Sequence, residues 1–191
     1  MRRNKTLVMI LFMGISFFSY SKDYIFESYE GAVESQESIR FESESTKFGI
    51  FTTSYNGYAK SYNITYKKNV NVIESINVKI VASSIDTDND SRNEKMHNSI
   101  LDVSKYPEII FKSLESLDLS KSKHEVVGTL KVRGVEKKIS LLLNTVKTEE
   151  GILIEGSTSI SLKSYGIPDP SIAIASVRDR QDIKFRILIS E

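Results

Sequence analysis

The sequence contains no cysteine and no tryptophan, and only 3 of its 191 residues are proline. The absence of cysteine excludes disulfide scaffolds, thiolate metal sites, cysteine nucleophiles and a lipid-anchored N-terminal cysteine. A large net charge is also absent, because 26 basic and 25 acidic residues leave only +1. A basic nucleic-acid-binding protein is therefore not expected. The hydrophobic content of 40% is sufficient for a folded core.

The N-terminal segment has the pattern of a secretory signal peptide. Three basic residues precede an almost unbroken apolar run, Leu7–Phe18, and the small residues Ser19 and Ser21 follow it. The run is short for a membrane span, and an uncleaved N-terminal anchor is the alternative. We predict a leader over residues 1–21 and one domain over residues 22–191. We expect the protein to be periplasmic or secreted. Losing three basic residues and no acidic one changes the net charge from +1 to −2.

The remaining sequence shows the period-two alternation of half-buried β-strands. Such alternation occurs in segments 38–42, 58–66, 76–82, 109–111, 126–132, 139–146, 152–162 and 183–189. Turn signals stand near them at Asn56-Gly57, Arg133-Gly134 and residues 149–151. About eight closely spaced strands indicate an all-β antiparallel barrel or sandwich.

Residues 90–106 interrupt this alternation. Met96, Ile100 and Leu101 have near-helical spacing, and Pro107 follows. The pattern predicts a short helix or helical turn that Pro107 ends, inside a long connection. A long connection at the rim of a barrel is a candidate functional loop.

Several motifs resemble those of the YceI-like family. Ser84–Thr87, then Arg92, then Tyr106–Phe111 are similar to the family's SIDT turn, loop arginine and YPxIxF element, in that order. Residues 128–137 resemble its GxLxIxGVxK hairpin, and Tyr165–Ile167 resembles its FGI element. Together these motifs span most of the chain after the leader.

The resemblance implies an exported, lipocalin-like, eight-stranded antiparallel β-barrel with a short helical insertion at its rim. Such a protein holds a long isoprenoid, either a polyisoprenoid or a prenyl quinone, for carriage or storage. It implies neither an enzymatic reaction nor a cofactor nor a metal. A barrel of this size has room for one apolar ligand, and each buried methylene contributes about 0.8 kcal/mol. Transient membrane contact and a homodimer are left open, and no nucleic-acid partner is expected.

The predicted ligand-binding residues are apolar side chains, most of them bulky, on the alternating strand faces. They are Phe41, Phe48, Tyr58, Val78, Ile80, Phe111, Leu130, Ile160 and Phe185. For each of them the alternative is a place in a filled core. Arg92 is the polar candidate at the rim, where we expect it to fix the loop by pairing with Asp86, Asp88 or Asp90. No catalytic or metal-binding residue is predicted.

Three positions depart from the family pattern at the rim. Asn93 replaces a frequent aspartate, Lys95 replaces a frequent histidine, and Lys47–Ile50 lacks a histidine before its Gly-Ile step. These departures concern the head group of the ligand more than the barrel.

The alternative function belongs to another class, a secreted structural or interaction protein. Its barrel would be filled by side chains and would bind no lipid. The tyrosine-rich segment Tyr55–Tyr66 and the serine-rich segment Ser28–Ser54 would then form its contact surface.

Overall fold

One antiparallel sheet accounts for most of the fold. The computed structural model describes residues 18–189. Its strands are β1 (Phe18–Ile25), β2 (Ser38–Lys47), β3 (Phe51–Ala59), β4 (Ser61–Asn69), β5 (Val72–Val81), β6 (Ile85–Asp86), β7 (Glu108–Ser113), β8 (Leu117–Asp118), β9 (Lys123–Val132), β10 (Val135–Thr148), β11 (Gly151–Ser161), β12 (Ala175–Val177) and β13 (Arg180–Ile189). The predicted all-β antiparallel class is confirmed.

The hydrogen-bonded order of the strands is β1-β4-β5-β7-β9-β10-β11-β13-β2-β3-β6. The short strands β8 and β12 pair with β5 and β2. The sheet curls, and the inward faces of its strands enclose the core. Tight turns keep sequential strands adjacent, as at Arg133-Gly134, where both residues have positive φ (49° and 79°) and Val132 pairs with Val135. That turn was predicted correctly from the sequence.

The predicted turn at Asn56-Gly57 is wrong. Both residues lie inside β3, where Gly57 pairs with Phe41 of β2. The chain instead reverses at residues 48–50 and turns again at Lys60, between β3 and β4. A Cβ on Gly57 would stand 2.1 Å from the Phe41 ring, so the glycine serves close packing.

Two short α-helices interrupt the strands, α1 (Tyr29–Glu34) and α2 (Asp90–Lys95). Helix α1 was not predicted, because six residues are too few for a helical period to show. Helix α2 confirms the predicted helical insertion; the Asn89 side chain caps it by accepting a hydrogen bond from Arg92 N, at 2.9 Å. It continues as a π-helical turn, Met96–Leu101, and ends where Asp102 adopts φ 52°, well before Pro107.

Strand β1 covers one edge of the sheet and spans the predicted end of the leader. Residues 1–17 of that leader lie outside the described residues. Tyr20 stacks on Tyr66 and Tyr24 stacks on Tyr62, with ring centroids 4.9 and 4.5 Å apart. Cleavage after residue 21 would remove the first stack and keep the second, and it stays a prediction. Within residues 18–189 no helix is long and apolar enough to cross a membrane.

Candidate ligand-binding lumen

The curled sheet encloses an apolar cavity of about 630 Å³. This volume lies within the range of about 300–1,000 Å³ that small-molecule sites occupy. The wall consists of side chains at alternate positions along the strands, such as Val78 and Ile80 of β5, Leu130 of β9 and Ile160 of β11. The interior is therefore not filled by side chains, in contrast to the barrel that the alternative function requires.

Three phenylalanines of the wall each lie over a glycine of the neighbouring strand: Phe41 over Gly57, Phe111 over Gly128, and Phe185 over Gly156. A Cβ on these glycines would stand 2.1, 2.3 and 2.1 Å from the nearest ring atom. Such distances are far below van der Waals contact, so any side chain there would displace the ring. The glycines thus let the rings lie against the wall, which keeps the middle of the lumen free.

Most of the predicted ligand-binding residues meet in this lumen. Those that line it are Phe41, Val78, Ile80, Phe111, Leu130, Ile160 and Phe185. Phe41, Ile80, Phe111, Ile160 and Phe185 are only partly buried although they face inwards. They have this exposure because cavity space, and not protein, lies beside them. Whether they contact a ligand stays a prediction.

The structure places Phe48 and Tyr58 outside the lumen. Alternation along β3 directs Gly57 and Ala59 inwards, so Tyr58 faces the other side, where its ring meets Tyr29 edge-on at 5.5 Å. Phe48 follows the end of β2 in a turn, where alternation no longer holds, and its side chain is 68% exposed.

The rim of the lumen carries cations. The charged side chains at the rim are Lys47, Arg92 and Lys95, and no aspartate or glutamate is among the described lining residues. Arg40 also borders the cavity, but its side chain faces outwards, where it lies over the Tyr58 ring and pairs with Glu42, at 3.2 Å. Lys95 donates a hydrogen bond from Nζ to the backbone oxygen of Pro170, which ties α2 to the segment before β12. The rim therefore offers hydrogen-bond donors to a polar head group.

Arg92 does not pair with the aspartates that the sequence suggested. Its guanidinium stands 4.1 Å from the ring centroid of Tyr55 and donates a hydrogen bond to Thr87 O, at 3.3 Å. Asp86 instead pairs with Lys60, with Nζ and Oδ2 2.9 Å apart. The predicted ion pair is wrong for all three aspartates: Lys60, from the turn between β3 and β4, occupies the Asp86 carboxylate, and the Arg92 guanidinium is directed to Thr87 and Tyr55 and not to Asp88 or Asp90. Arg92 still fixes the loop, through Thr87 and Tyr55.

Asn93 holds the turn that precedes α2. Its side-chain oxygen accepts hydrogen bonds from Thr87 N and Thr87 Oγ1, at 2.9 and 2.8 Å, and its Nδ2 donates to Asp86 Oδ1, at 2.8 Å. Burial acts to raise the pKa of Asp86, but the bonds from Lys60 and Asn93 hold it below its usual range. An aspartate at position 93 would lack the donor for Asp86. The departure from the family pattern thus has a structural role that the sequence alone did not reveal.

The described residues contain no group of three or more histidine, aspartate or glutamate side chains placed to bind a metal ion. His97 is used inside the fold, where its Nε2 hydrogen-bonds Ile85 O at 2.7 Å. The site is therefore a lumen with an apolar wall and a polar rim.

Comparison with known proteins identifies the family of this fold. The family model for the YceI-like domain matches residues 32–189. The chain belongs to the YceI-like family. The curated UPF0312 protein VPA0850 of Vibrio parahaemolyticus is 24% identical to this YceI-like chain over 164 residues, which cover 82% of the chain and 83% of the relative.

Solved structures of similar proteins share the fold of this YceI-like chain. BcnA of Burkholderia cenocepacia has a TM-score of 0.67 at 18% identity, covering 81% of this chain and 97% of BcnA. A polyisoprenoid-binding domain of Saccharophagus degradans, implicated in plant cell wall breakdown, has a TM-score of 0.58 at 15% identity, covering 79% and 95%. At these identities the similarity shows the fold.

Proposed function

We propose that this YceI-like protein binds the isoprenoid chain of a lipid in its lumen. The observation that carries the proposal is the apolar cavity of about 630 Å³ inside the curled sheet. The polyisoprenoid-binding domain of the same fold supports an isoprenoid as the ligand. Affinity would come mainly from burial of the chain, at about 0.8 kcal/mol per methylene, so a long chain needs no deep polar anchor.

The rim determines what kind of head group fits. Arg92 and Lys95 of α2 stand at the lumen with Lys47 of β2, and all three are hydrogen-bond donors. A head group that accepts hydrogen bonds, as the carbonyl oxygens of a prenyl quinone do, suits these donors. We therefore propose that a prenyl quinone or a related amphiphilic isoprenoid binds with its tail in the lumen and its head group at the rim.

The proposed role is carriage or storage of this lipid outside the cytoplasm. The signal-like pattern of residues 1–21 supports export to the periplasm or secretion, and carriage requires transient contact with membranes. The family and the apolar wall favour binding over catalysis, so we propose that the protein is not an enzyme. The open cavity argues against the alternative of a lipid-free interaction protein. A homodimer stays a prediction that sedimentation can test.

Mass spectrometry of an organic extract tests the proposal. Purified protein is expected to carry about one prenyl lipid per chain. Ile80→Glu places a charge in the apolar wall and should abolish binding, because an unpaired charge in an apolar site is strongly unfavourable. Val81→Glu is the matched control, since Val81 is the next residue of β5 and is exposed. A lipid-free protein with no affinity for long prenyl compounds would refute the proposal.

A further inference from the structure

Large apolar side chains are exposed on two neighbouring loops beside the lumen. Phe48 and Ile50 lie in the turn between β2 and β3, Phe51 is the first residue of β3, and Ile172 and Ile174 precede β12. We call these five residues the apolar tips. Their exposed fractions are 68%, 74%, 64%, 56% and 54%. Single exposed apolar residues are common on protein surfaces, but a cluster of five marks an interaction site.

The apolar tips are continuous with the mouth of the lumen. Phe48 N donates a hydrogen bond to Ile174 O, at 2.9 Å, and Lys47 pairs with Ala175 across the β2–β12 ladder. Lys47, Ile172 and Ala175 also line the lumen. A surface that covered the tips would therefore meet the opening through which an apolar chain enters.

Backbone groups within the tips are paired with one another. Ile50 N donates to Lys47 O at 3.1 Å, and Ile172 and Ala175 exchange hydrogen bonds of 2.8 and 3.0 Å. Phe48 N is satisfied by Ile174, as described above. Unpaired backbone groups are what makes loops unfavourable in hydrocarbon, at several kcal/mol each. These tips would leave few such groups unpaired on entering an apolar medium.

Cations outnumber carboxylates around the tips. Lys47 is the only charged residue in segments 47–51 and 171–177. Arg92 and Lys95 stand at the same rim, and the described part of the chain places no carboxylate within ion-pair distance of Lys47, Arg92 or Lys95. Asp169 is the exception: its carboxylate accepts a hydrogen bond from Ser171 N, at 2.9 Å, and interacts electrostatically with Lys95. Cations beside exposed apolar side chains complement the surface of an anionic bilayer.

Phe48 also has an unfavourable backbone conformation. Its φ is 51°, and it forms the turn with Gly49 at φ 73°. Asparagine or glycine would adopt this conformation at lower cost, whereas a bulky residue there is uncommon. A phenylalanine that is strained and exposed contributes little to folding, so its benefit lies in another role.

We infer that the apolar tips insert into the interfacial region of an anionic phospholipid bilayer and bring the mouth of the lumen against the membrane. The inference rests on the proposed function: a protein that carries a lipid needs a surface that contacts the membrane. It assigns membrane contact to five named side chains. A bound isoprenoid could then pass between bilayer and lumen without crossing water.

Flotation with vesicles of phosphatidylcholine and phosphatidylglycerol, in a 3:1 ratio, tests the inference. The triple variant Phe48→Asn, Ile50→Ser and Phe51→Ser should lower the vesicle partition coefficient by roughly tenfold or more, because it removes three apolar side chains from the contact. The control is Val70→Ser with Leu142→Ser, which removes side chains of 78% and 62% exposure on other elements. The control should float like the wild type.

A tryptophan reporter gives a second measurement, since the chain has no tryptophan of its own. Phe51→Trp should shift its emission to the blue on adding vesicles, whereas Leu142→Trp should not. Equal behaviour of the two reporters, or flotation of the triple variant at the wild-type level, would overturn the inference. So would a dimer that the triple variant dissociates, because the tips would then contact a second copy.

The lipid content of each variant separates this inference from the proposed function. Loaded with a prenyl lipid from detergent solution, which bypasses the membrane, the triple variant should hold as much lipid as the wild type and lose vesicle binding, whereas Ile80→Glu should hold no lipid and keep vesicle binding. A wild-type protein that docks on vesicles but never carries lipid would refute the proposed function and leave the membrane site standing. A lipid-loaded protein that does not bind vesicles would refute the membrane site alone.

Discussion

At the scale of single residues, the free space of the lumen depends on glycines. We predict that Gly156→Ala reduces the amount of bound lipid, because its Cβ would stand 2.1 Å from Phe185 and push the ring inwards. The free energy of unfolding should fall by about 1–3 kcal/mol, as overpacking usually costs. Extraction and mass spectrometry measure the first effect, and denaturant unfolding measures the second.

Gly31→Ala is the matched control for this substitution. Gly31 lies in α1, where the nearest atom to an added Cβ is Ser28 Oγ at 3.7 Å. This variant should keep the full lipid load. If Gly156→Ala carries as much lipid as the control, the glycines do not set the space of the lumen.

Tyr165 carries a buried hydroxyl with no hydrogen-bond partner among the described residues. Burial raises the pKa of Tyr165, which agrees with its apolar surroundings. We predict that Tyr165→Phe leaves the free energy of unfolding unchanged or raises it by up to about 1 kcal/mol, because no hydrogen bond is lost. Denaturant midpoints check this outcome.

Tyr24→Phe provides the contrasting control. The Tyr24 hydroxyl donates a 2.6 Å hydrogen bond to Glu37, and we expect its loss to cost about 1.5–3 kcal/mol, as for a bond to a charged group. A destabilised Tyr165→Phe variant would show that the Tyr165 hydroxyl has a partner after all.

At the scale of elements, the turn between β6 and α2 depends on the charge of Asp86. Its pKa lies below the usual value in the folded protein, so its stabilising effect is present above about pH 4 and is lost as the pH falls through the folded pKa. We predict that Asp86→Asn lowers the free energy of unfolding at pH 7 by about 1–3 kcal/mol. The difference from the wild type should shrink below about pH 4.

Urea unfolding at several pH values measures that difference. Asp118→Asn is a comparison variant, since Asp118 also has a lowered pKa, through Ser120, but is half-buried and lies on β8, away from α2. A gap between wild type and Asp86→Asn that stays constant down to pH 2.5 would contradict the role given to the carboxylate.

The elements also show what the sequence can and cannot predict. Alternation identified most strands, and with them seven lumen residues, because every second side chain of a strand faces the same side and the apolar ones mark the inward face. Glycine was ambiguous: the same residue type marks a turn at Gly134 and room for an aromatic ring at Gly57. The ion-pair partner of Asp86 could not be predicted from the sequence, because Lys60 approaches it only after β3 and β4 have folded.

At the scale of the whole molecule, an isoprenoid that binds only the folded state must stabilise it. We predict that delipidated protein melts at a lower temperature than loaded protein. When the free lipid is at 100 times its Kd, binding should raise the free energy of unfolding by about 2.7 kcal/mol. Calorimetry on loaded and delipidated samples measures the shift. Ile80→Glu should show no shift, and identical melting of the two wild-type samples would contradict lumen binding.

The order of the strands also determines when the lumen is completed during folding. Strand β2 lies between β3 and β13, and its residue Ser38 pairs with Arg186, close to the last described residue. Contacts so distant in sequence form slowly, since the intervening chain must first be brought together. The wall of the lumen is therefore incomplete until nearly the whole chain is available. We expect a lipid to be loaded after synthesis, onto a finished protein, and never onto a nascent one.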